Sequence, residues 1–406
     1  MATQFLTELD EDLLTRLRGL YRDLHQQPEL SLQEHKTAER IEAELSALDV
    51  EVQRIGGTGV VAIIRNGTGP TVLARADTDA LPVSEQTGLD YASQVEGVMH
   101  ACGHDLHVAT LMGAVEVLAH HKDAWSGTYI GLFQPAEETA QGAQAMIDDG
   151  LVDKIPAPEV ALSQHVMPTA AGTIGTSPGP VLSAGDSLKI TVYGRGAHGS
   201  MPHNAVDPVV LASSIVMRLQ TIVSRETKPG EFAVVTVGAL NAGSKSNIIA
   251  DRAELLLNLR TYDTQVRKHI MAAIERIVRA ECQAAGSPQE PEFEYYDQFP
   301  LTDNDPDVNA KVTEAFTEHF GAEAVYETKP YTASEDFSRI PNAFGIPYAY
   351  WFVGSVDPEK YHRAVEEGTV SQDIPANHSP FFAPEIDPTL EIGIRTQVVA
   401  ALAYLA

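Results

Sequence analysis

Apolar positions change their spacing several times along the chain, and each change predicts an element. Leu13, Leu14, Leu17, Leu20 and Tyr21 fall on one helical stripe that Pro28 ends. Ser31 followed by Glu34 reads as a capping box opening a second helix to about Leu48. Apolar runs at 60–65 and 71–77 read as strands, 105–121 as a helix, 129–134 as a strand stopped by Pro135, and 160–166 as another strand. Strands interleaved with helices predict an α/β fold, a mixed sheet with helices on both faces.

After the Gly/Pro/Ser-rich stretch 172–185 the pattern changes. Leu188, Ile190 and Val192 alternate with polar residues, and 208–225 reads as a helix. A strand at 232–240 and the alternating Leu255, Leu257 and Leu259 follow, then a helix at 264–285 and a strand at 292–297. The order β-α-β-β-α-β is the split βαβ of ferredoxin-like domains. The expectation is a catalytic domain of residues 1–185 and 299–406, completed by a helix near 390–405, with a ferredoxin-like domain inserted at 186–298.

Composition narrows the function classes. With 406 residues, 44% of them hydrophobic and 21% charged, the chain is long enough for two domains and has the make-up of an ordinary folded protein. Fifty-six acidic against 28 basic residues give a net charge of −28, which disfavours nucleic acid and anionic membranes as partners. Two cysteines, Cys102 and Cys282, offer no disulfide framework, and no apolar run is long enough for a membrane span. The first residues carry no targeting signal, so the expected location is the cytoplasm.

Candidate chemistry concentrates where strands are expected to end. Met99-His100-Ala101-Cys102-Gly103-His104-Asp105-Leu106-His107 gathers a thiol and several imidazoles, all good ligands for divalent metal. Glu137 and Glu138 follow the strand that stops at Pro135; in extended chain one would face a metal and the other the reacting atom. His165 ends another strand, and His378 lies in a loop-like stretch. Asp77 and Asp79 follow a strand and suit a role orienting ligands. Cys102, His104, Glu138, His165 and His378 suffice for two divalent ions if one ligand bridges, with Glu137 left as a base. Spacing alone leaves His100 as a rival ligand, since residues 100, 102 and 104 share one side of an extended chain. His107 reads as a residue lining the pocket.

The sequence resembles the metal-dependent amidohydrolases related to aminoacylase and carboxypeptidase G, in the branch of hippurate hydrolase, indole-acetyl-amino-acid hydrolase and N-acetyl-diaminopimelate deacetylase. The resemblance runs from His25-Gln-Gln-Pro-Glu-Leu-Ser31 to Asn377-His-Ser-Pro380. It is carried by Arg75-Ala-Asp-Thr-Asp-Ala-Leu-Pro82, Met99-His-Ala-Cys-Gly-His-Asp105, Gln134-Pro-Ala-Glu-Glu138, Gly196-Ala-His-Gly-Ser-Met-Pro-His203 and Ser334-Glu-Asp-Phe337. It implies Cys102, His104, Glu138, His165 and His378 as ligands of two divalent ions (Zn²⁺, or Mn²⁺, Co²⁺ or Ni²⁺), Glu137 as general base and Asp79 as their support. It further implies a homodimer through the inserted domain, with His198 reaching the partner's site to steady the oxyanion. Asn247 and Arg260 would contact the substrate carboxylate. The chain departs from the family pattern at Asn247-Ile248-Ile249-Ala250, where proline usually ends the run, and at Leu257-Asn258, in place of Gly-Thr.

The expected activity is hydrolysis of the amide bond of N-acyl amino acids. Two other readings use the same residues: an N-acyl amino acid binding module without turnover, and a hydrolase with Cys102 as nucleophile.

Overall fold

The computed structural model describes residues 9–406. Residues 1–8, part of the expected catalytic domain and of the stretch read as free of a targeting signal, lie outside the described residues. The chain divides into two units, one of residues up to Val181 with Asp303–Lys329 and Asp336–Ala406, the other of Leu182–Thr302 with Pro330–Glu335. No described helix is long and apolar enough to cross a membrane.

In chain order the first unit contributes α1 (Glu11–Gln26), α2 (His35–Leu45), β1 (Glu51–Ile55), β2 (Gly59–Asn66), β3 (Thr71–Asp77), α3 (His104–His120), β4 (Gly127–Gln134), α4 (Gly142–Asp148), β5 (Val160–Ala170) and β6 (Ile174–Thr176). The second contributes β7 (Ala184–Tyr193), β8 (Ala197–His198), α5 (Pro208–Thr221), β9 (Ala233–Ala242), β10 (Ile248–Ile249), β11 (Arg252–Thr261), α6 (Thr264–Ala285) and β12 (Glu292–Phe299). The first unit then resumes with α7 (Pro306–Phe320), β13 (Val325–Glu327), β14 (Tyr348–Val356), α8 (Pro358–Glu367) and α9 (Ile386–Leu405).

The sheet of the first unit has the order β1-β2-β4-β3-β5-β14-β6-β13. It is mixed: β3 runs parallel to β4 and β5, and β5 parallel to β14, whereas β2 is antiparallel to β1 and β4. Gly59–Ile64, Val72–Asp77 and Tyr129–Gln134 are continuously buried, the signature of strands covered on both faces. Leu17, Ile41, Leu111, Phe133, Trp351 and Ile394 belong to one contiguous core. Parallel β3, β4 and β5 bring their C-terminal ends to one edge, with Asp77 registered beside Gln134. That edge is where open α/β sheets bind ligands.

The second unit has an antiparallel sheet of order β9-β11-β7-β12, and the element order is the expected β-α-β-β-α-β. Leu188 and Ile190 from β7, Leu255 and Leu257 from β11, and Ile215 and Ile270 from the helices fill its core. β9 lies at the sheet edge, and β8 and β10 form a separate two-stranded ladder.

One expectation fails at the start of α2. Glu34 occupies the N-cap position but makes no side-chain cap, and the helix ends at Leu45. The Ser31 hydroxyl instead donates to Asp79 Oδ2 at 2.7 Å, while the buried Glu34 carboxylate accepts from Ala136 N–H and the Thr58 hydroxyl, each at 2.8 Å. Tertiary partners have taken both side chains from the local motif.

The last turn of α1 carries His25, whose side chain has no exposed surface. Its Nδ1 lies 2.6 Å from Asp105 Oδ2 and its Nε2 lies 3.3 Å from Glu85 Oε1. Burial works against the imidazolium, but hydrogen bonds and charge from Asp105 and Glu85 outweigh it and push the pKa up to about 9. A folded pKa above the ordinary ~6.5 means the stabilisation is complete below about pH 6.5 and lost as pH rises through about 9. In metal-free protein, the gap in unfolding free energy between wild type and His25→Gln should narrow by about 3 kcal/mol from pH ~6 to pH ~10. Urea titrations at the two pH values measure it, and an unchanged gap would show that His25 is neutral in the fold.

Candidate metal centre

Asp79 organises the edge of the sheet just past β3. Its Oδ1 accepts from Glu137 N–H and its Oδ2 from Glu138 N–H, both at 3.0 Å. Its backbone carbonyl lies 2.9 Å from His104 Nδ1. A carbonyl only accepts, so His104 carries a proton on Nδ1, which makes Nε2 the nitrogen that faces the ligand cluster. Burial opposes the Asp79 charge, but bonds from His104, Ser31 and Glu138 N–H hold the carboxyl below its ordinary range.

The remaining expected ligands arrive from three other segments. Gly103 turns the chain into α3 with φ 86°, and a Cβ there would sit 2.5 Å from Val166 Cγ2. That turn sets Cys102 and His104 on either side of it. His165 gives its Nδ1 proton to the Val166 carbonyl at 2.7 Å, leaving Nε2 at 3.4 Å from Cys102 Sγ. Burial beside His107 holds His165 well below the usual imidazole range, hence neutral and able to ligate. His378 sits in the left-handed region at φ 70°, its Nε2 3.3 Å from Glu138 Oε1.

Donor atoms of Cys102, Glu138 and His378 lie within 4.8 Å of one another, as do those of His104, Glu137 and Glu138. A third group joins Asp77, His104, His107 and His165. The structure thus brings Cys102, His104, Glu137, Glu138, His165 and His378 together. His104 Nε2 and Glu138 Oε1 are buried 3.9 Å apart, and neither makes a well-formed hydrogen bond, although His378 Nε2 approaches the carboxylate oxygen to 3.3 Å. Buried polar atoms of this kind call for an unseen partner. An imidazole nitrogen and a carboxylate oxygen beside a thiol and two further imidazoles fit divalent cations.

Three local expectations change. The turn after β4 is not extended: Ala136 has φ 49°, so Glu137 and Glu138 converge on His104 rather than facing opposite ways. His165 lies inside β5, paired with Phe352, and projects past the last β3–β5 pair at Ser163. His107 does not line a pocket: its Nδ1 is 2.5 Å from Asp77 Oδ1 and its Nε2 accepts from Val166 N–H at 2.9 Å. Both nitrogens are committed, so His107 is a strut between Asp77 and the strand that carries His165. Asp77 in turn takes a 2.6 Å bond from the fully buried Arg75, which also donates to Gln134. His100, the rival ligand, belongs to none of these donor groups among the described residues. The loop reaches Cys102 through a turn, so residues 100, 102 and 104 do not share a side.

Sequence reasoning missed the supporting carboxylates. Glu34 was legible only as a cap, and nothing in the spacing ties His25 to Asp105.

The second unit places the other three candidates. His198 is exposed on β8, paired with Ile248, and its Nδ1 accepts from Ser200 N–H at 3.2 Å, which leaves the proton on Nε2. Asn247 accepts from Gly199 N–H through its carbonyl at 2.8 Å, beside His198. His198 borders an open groove of about 810 Å³ that Ile248, Asp251, Arg252 and Glu254 also line. Arg260 is half-buried at the far end of β11, donating through Nε to Asn258 Oδ1 at 3.0 Å and through Nη1 to the Ser334 hydroxyl. Eight residues of extended strand from Arg252 to Arg260 span about 26 Å. Within this unit, Arg260 therefore lies at the other end of β11 from the groove that His198 borders.

Known proteins bear on this geometry. The profile of Peptidase family M20/M25/M40 matches residues 73–378. The N-acetyl-L-cysteine deacetylase of Bacillus subtilis is 37% identical over 365 residues, covering 88% of this chain and 84% of its own. The hippurate hydrolase of Campylobacter jejuni is 38% identical over 343 residues, covering 84% and 88%. Among solved structures, the Bacillus subtilis YXEP protein, a dinuclear metal-binding peptidase of the M20 family, is 29% identical with a TM-score of 0.78, covering 97% of this chain and 98% of its own. With the family profile spanning most of the sequence and the ligand-type residues converging at the sheet edge, the chain belongs to Peptidase family M20/M25/M40 and is one of its metallo-amidohydrolases.

Proposed function

We propose that this protein hydrolyses the amide bond of N-acyl amino acids, with two divalent ions held by Cys102, His104, Glu138, His165 and His378. The observation that carries the reading is the convergence of His104, Glu137 and Glu138, with His104 Nε2 and Glu138 Oε1 buried 3.9 Å apart and His378 Nε2 3.3 Å from the same carboxylate oxygen. The soft Cys102 thiolate favours Zn²⁺, with Mn²⁺, Co²⁺ or Ni²⁺ as substitutes. The substrates named for the relatives, acetylated cysteine and hippurate, support a small acyl group on an amino acid.

When bound, the ions polarise the amide oxygen and make a water molecule acidic enough to attack at neutral pH. Glu137 takes the proton of that water and returns it to the amide nitrogen, which cannot leave as an anion. Asp79 holds the backbone N–H groups of both glutamates and so fixes where Glu137 stands during the transfer. His198 of the partner subunit donates a hydrogen bond from Nε2–H to the oxyanion. Arg260, and Asn247 of the partner subunit, bind the substrate carboxylate. Arg260 stands at the far end of β11 from the groove that His198 borders, which supports the use of one residue from each protomer.

The homodimer forms through the inserted domain, residues 186–298, while residues 1–185 and 299–406 hold the metals. β9 is an edge strand of ten residues, and an edge of that length is a ready template for pairing with a second copy. Beside it, Val210 and Met217 on α5 are 63% and 72% exposed, apolar surface that a partner would cover. Two free cysteines suit a reducing cytoplasm.

Glu137→Gln should lower kcat by about 10²–10⁴-fold while metal content, measured by atomic absorption, stays at the wild-type level. Turnover at the wild-type rate would remove Glu137 as the base. Zn²⁺ at about 100 times its Kd should add about 2.7 kcal/mol to the unfolding free energy, and a chelator should abolish both this gain and hydrolysis of acetyl, benzoyl and indole-acetyl amino acids. Hydrolysis that survives chelation would point to a Cys102 thiol enzyme, and tight binding without turnover to a binding module. The double substitution Val210→Lys, Met217→Glu should yield monomers by light scattering; an unchanged mass would place the interface elsewhere.

A further inference from the structure

His25 lies outside the ligand set, yet two of its contacts lead to ligand-bearing loops. Its Nδ1 meets Asp105, the residue after His104, in the first turn of α3. Its Nε2 meets Glu85, whose other oxygen accepts from Ser93 N–H at 2.6 Å and so shapes the loop between β3 and α3. The next residue, Gln86, donates its backbone N–H to the Pro380 carbonyl at 2.8 Å, two residues beyond His378. The same loop is tied to the end of α1 by Gln94 N–H on the Gln26 carbonyl at 2.9 Å.

The site of this pairing is closed. His25 has no exposed surface, and the Asp105 and Glu85 side chains are 1% and 5% exposed. The rings of Tyr21 and Tyr91 stand 5.8 and 5.4 Å from the imidazole. Two carboxylates buried this deeply need a counter-charge, and His25 is the group that touches both. Neither carboxylate is in the donor groups around the metal site. Their burial therefore serves something other than direct ligation.

We propose that His25 is a positioning residue of the metal centre: shared between Asp105 and Glu85, it holds in register the loop that presents Cys102 and His104 and the loop that presents His378. The inference rests on the ligand set of the proposed function. It adds that the affinity for metal is set in part from α1, by a histidine that never meets the ion. Partners beyond the ligands themselves tune metal affinity because they fix ligand orientation before the ion arrives.

The test is Zn²⁺ titration of the chelator-stripped chain against a chromophoric competitor, with the Co²⁺ absorption spectrum recorded in parallel. Wild type should take up two equivalents. His25→Gln should bind at least one ion about 10–100-fold more weakly and shift the Co²⁺ bands. Glu85→Gln, which cuts only the link toward His378, should produce a smaller loss. Asp105→Asn combined with His25→Gln should cost no more than the larger single change, since the two act through one contact. If His25→Gln does not fold, Glu85→Gln carries the test alone. A natively folded variant with wild-type Zn²⁺ affinity and Co²⁺ spectrum overturns the proposal, even if its unfolding temperature falls, because that pattern belongs to a purely structural role. A wild-type chain that takes up no Zn²⁺ overturns the ligand assignment, and the proposal with it.

Discussion

The carboxylate of Asp79 is the constraint on which the centre depends. It is buried and negatively charged, and it survives there because two backbone N–H groups and a serine hydroxyl bond to it. Bonds of this kind to an ionised acceptor are worth roughly twice neutral ones. They come from the Glu137–Glu138 turn and from Ser31, so stabilising one buried charge also fixes the two glutamates whose carboxylates face His104. The carbonyl of the same residue sets the His104 tautomer. Without Asp79, a turn held by backbone bonds alone would have to place two like charges side by side, which each repels the other from doing.

The turn carries strain of its own. Ala136 and Ala140 flank the glutamates at φ 49° and 55°, and Leu32 and His378 also lie in the left-handed region, at 64° and 70°. Such positions cost of order 1–3 kcal/mol each for residues with a Cβ. Leu32 precedes by two residues the Glu34 carboxylate that accepts from Ala136 N–H, so strained and braced positions are coupled. A continuous core beneath the sheet, from Leu17 to Ile394, offsets them.

How much of this was legible in the sequence follows from range. Spacing located α3, α6 and the strands β2, β3, β4, β5, β7, β9, β11 and β12 because hydrophobic period is a local property, and the α6 range matches residue for residue, whereas β1 and β14 were not read. The residues that converge on the metal were nameable as chemistry, since a thiol, imidazoles and carboxylates gathered at strand ends are few. What failed were directions. Glu137 and Glu138 were expected to diverge because extended geometry was assumed past Pro135, and a single left-handed alanine reverses that. Ser31 and Glu34 have the spacing of a capping box, yet partners 48 and 102 residues away outcompete the helix terminus. His107 looked like pocket lining because its two bonds, to Asp77 and Val166, come from separate strands. Long-range partners leave no mark in a local pattern.

The departures from the family pattern invite the same physical treatment. Along β11 side chains alternate, so Leu257 is buried in the core while Asn258 and Arg260 share the opposite face. Asn258 uses that placement: its Oδ1 accepts from Arg260 Nε and its Nδ2 reaches the Ser187 hydroxyl at 3.5 Å. Ser334 takes Nη1 on the other side. The guanidinium is thereby held by two neutral acceptors rather than neutralised by a carboxylate, so its charge stays available to an anionic ligand. A neighbouring aspartate, Asp186, is instead engaged by Arg267 and Gln298. With Leu-Asn at this place, Asn258 supplies an acceptor that orients the arginine and Leu257 fills the core beneath it.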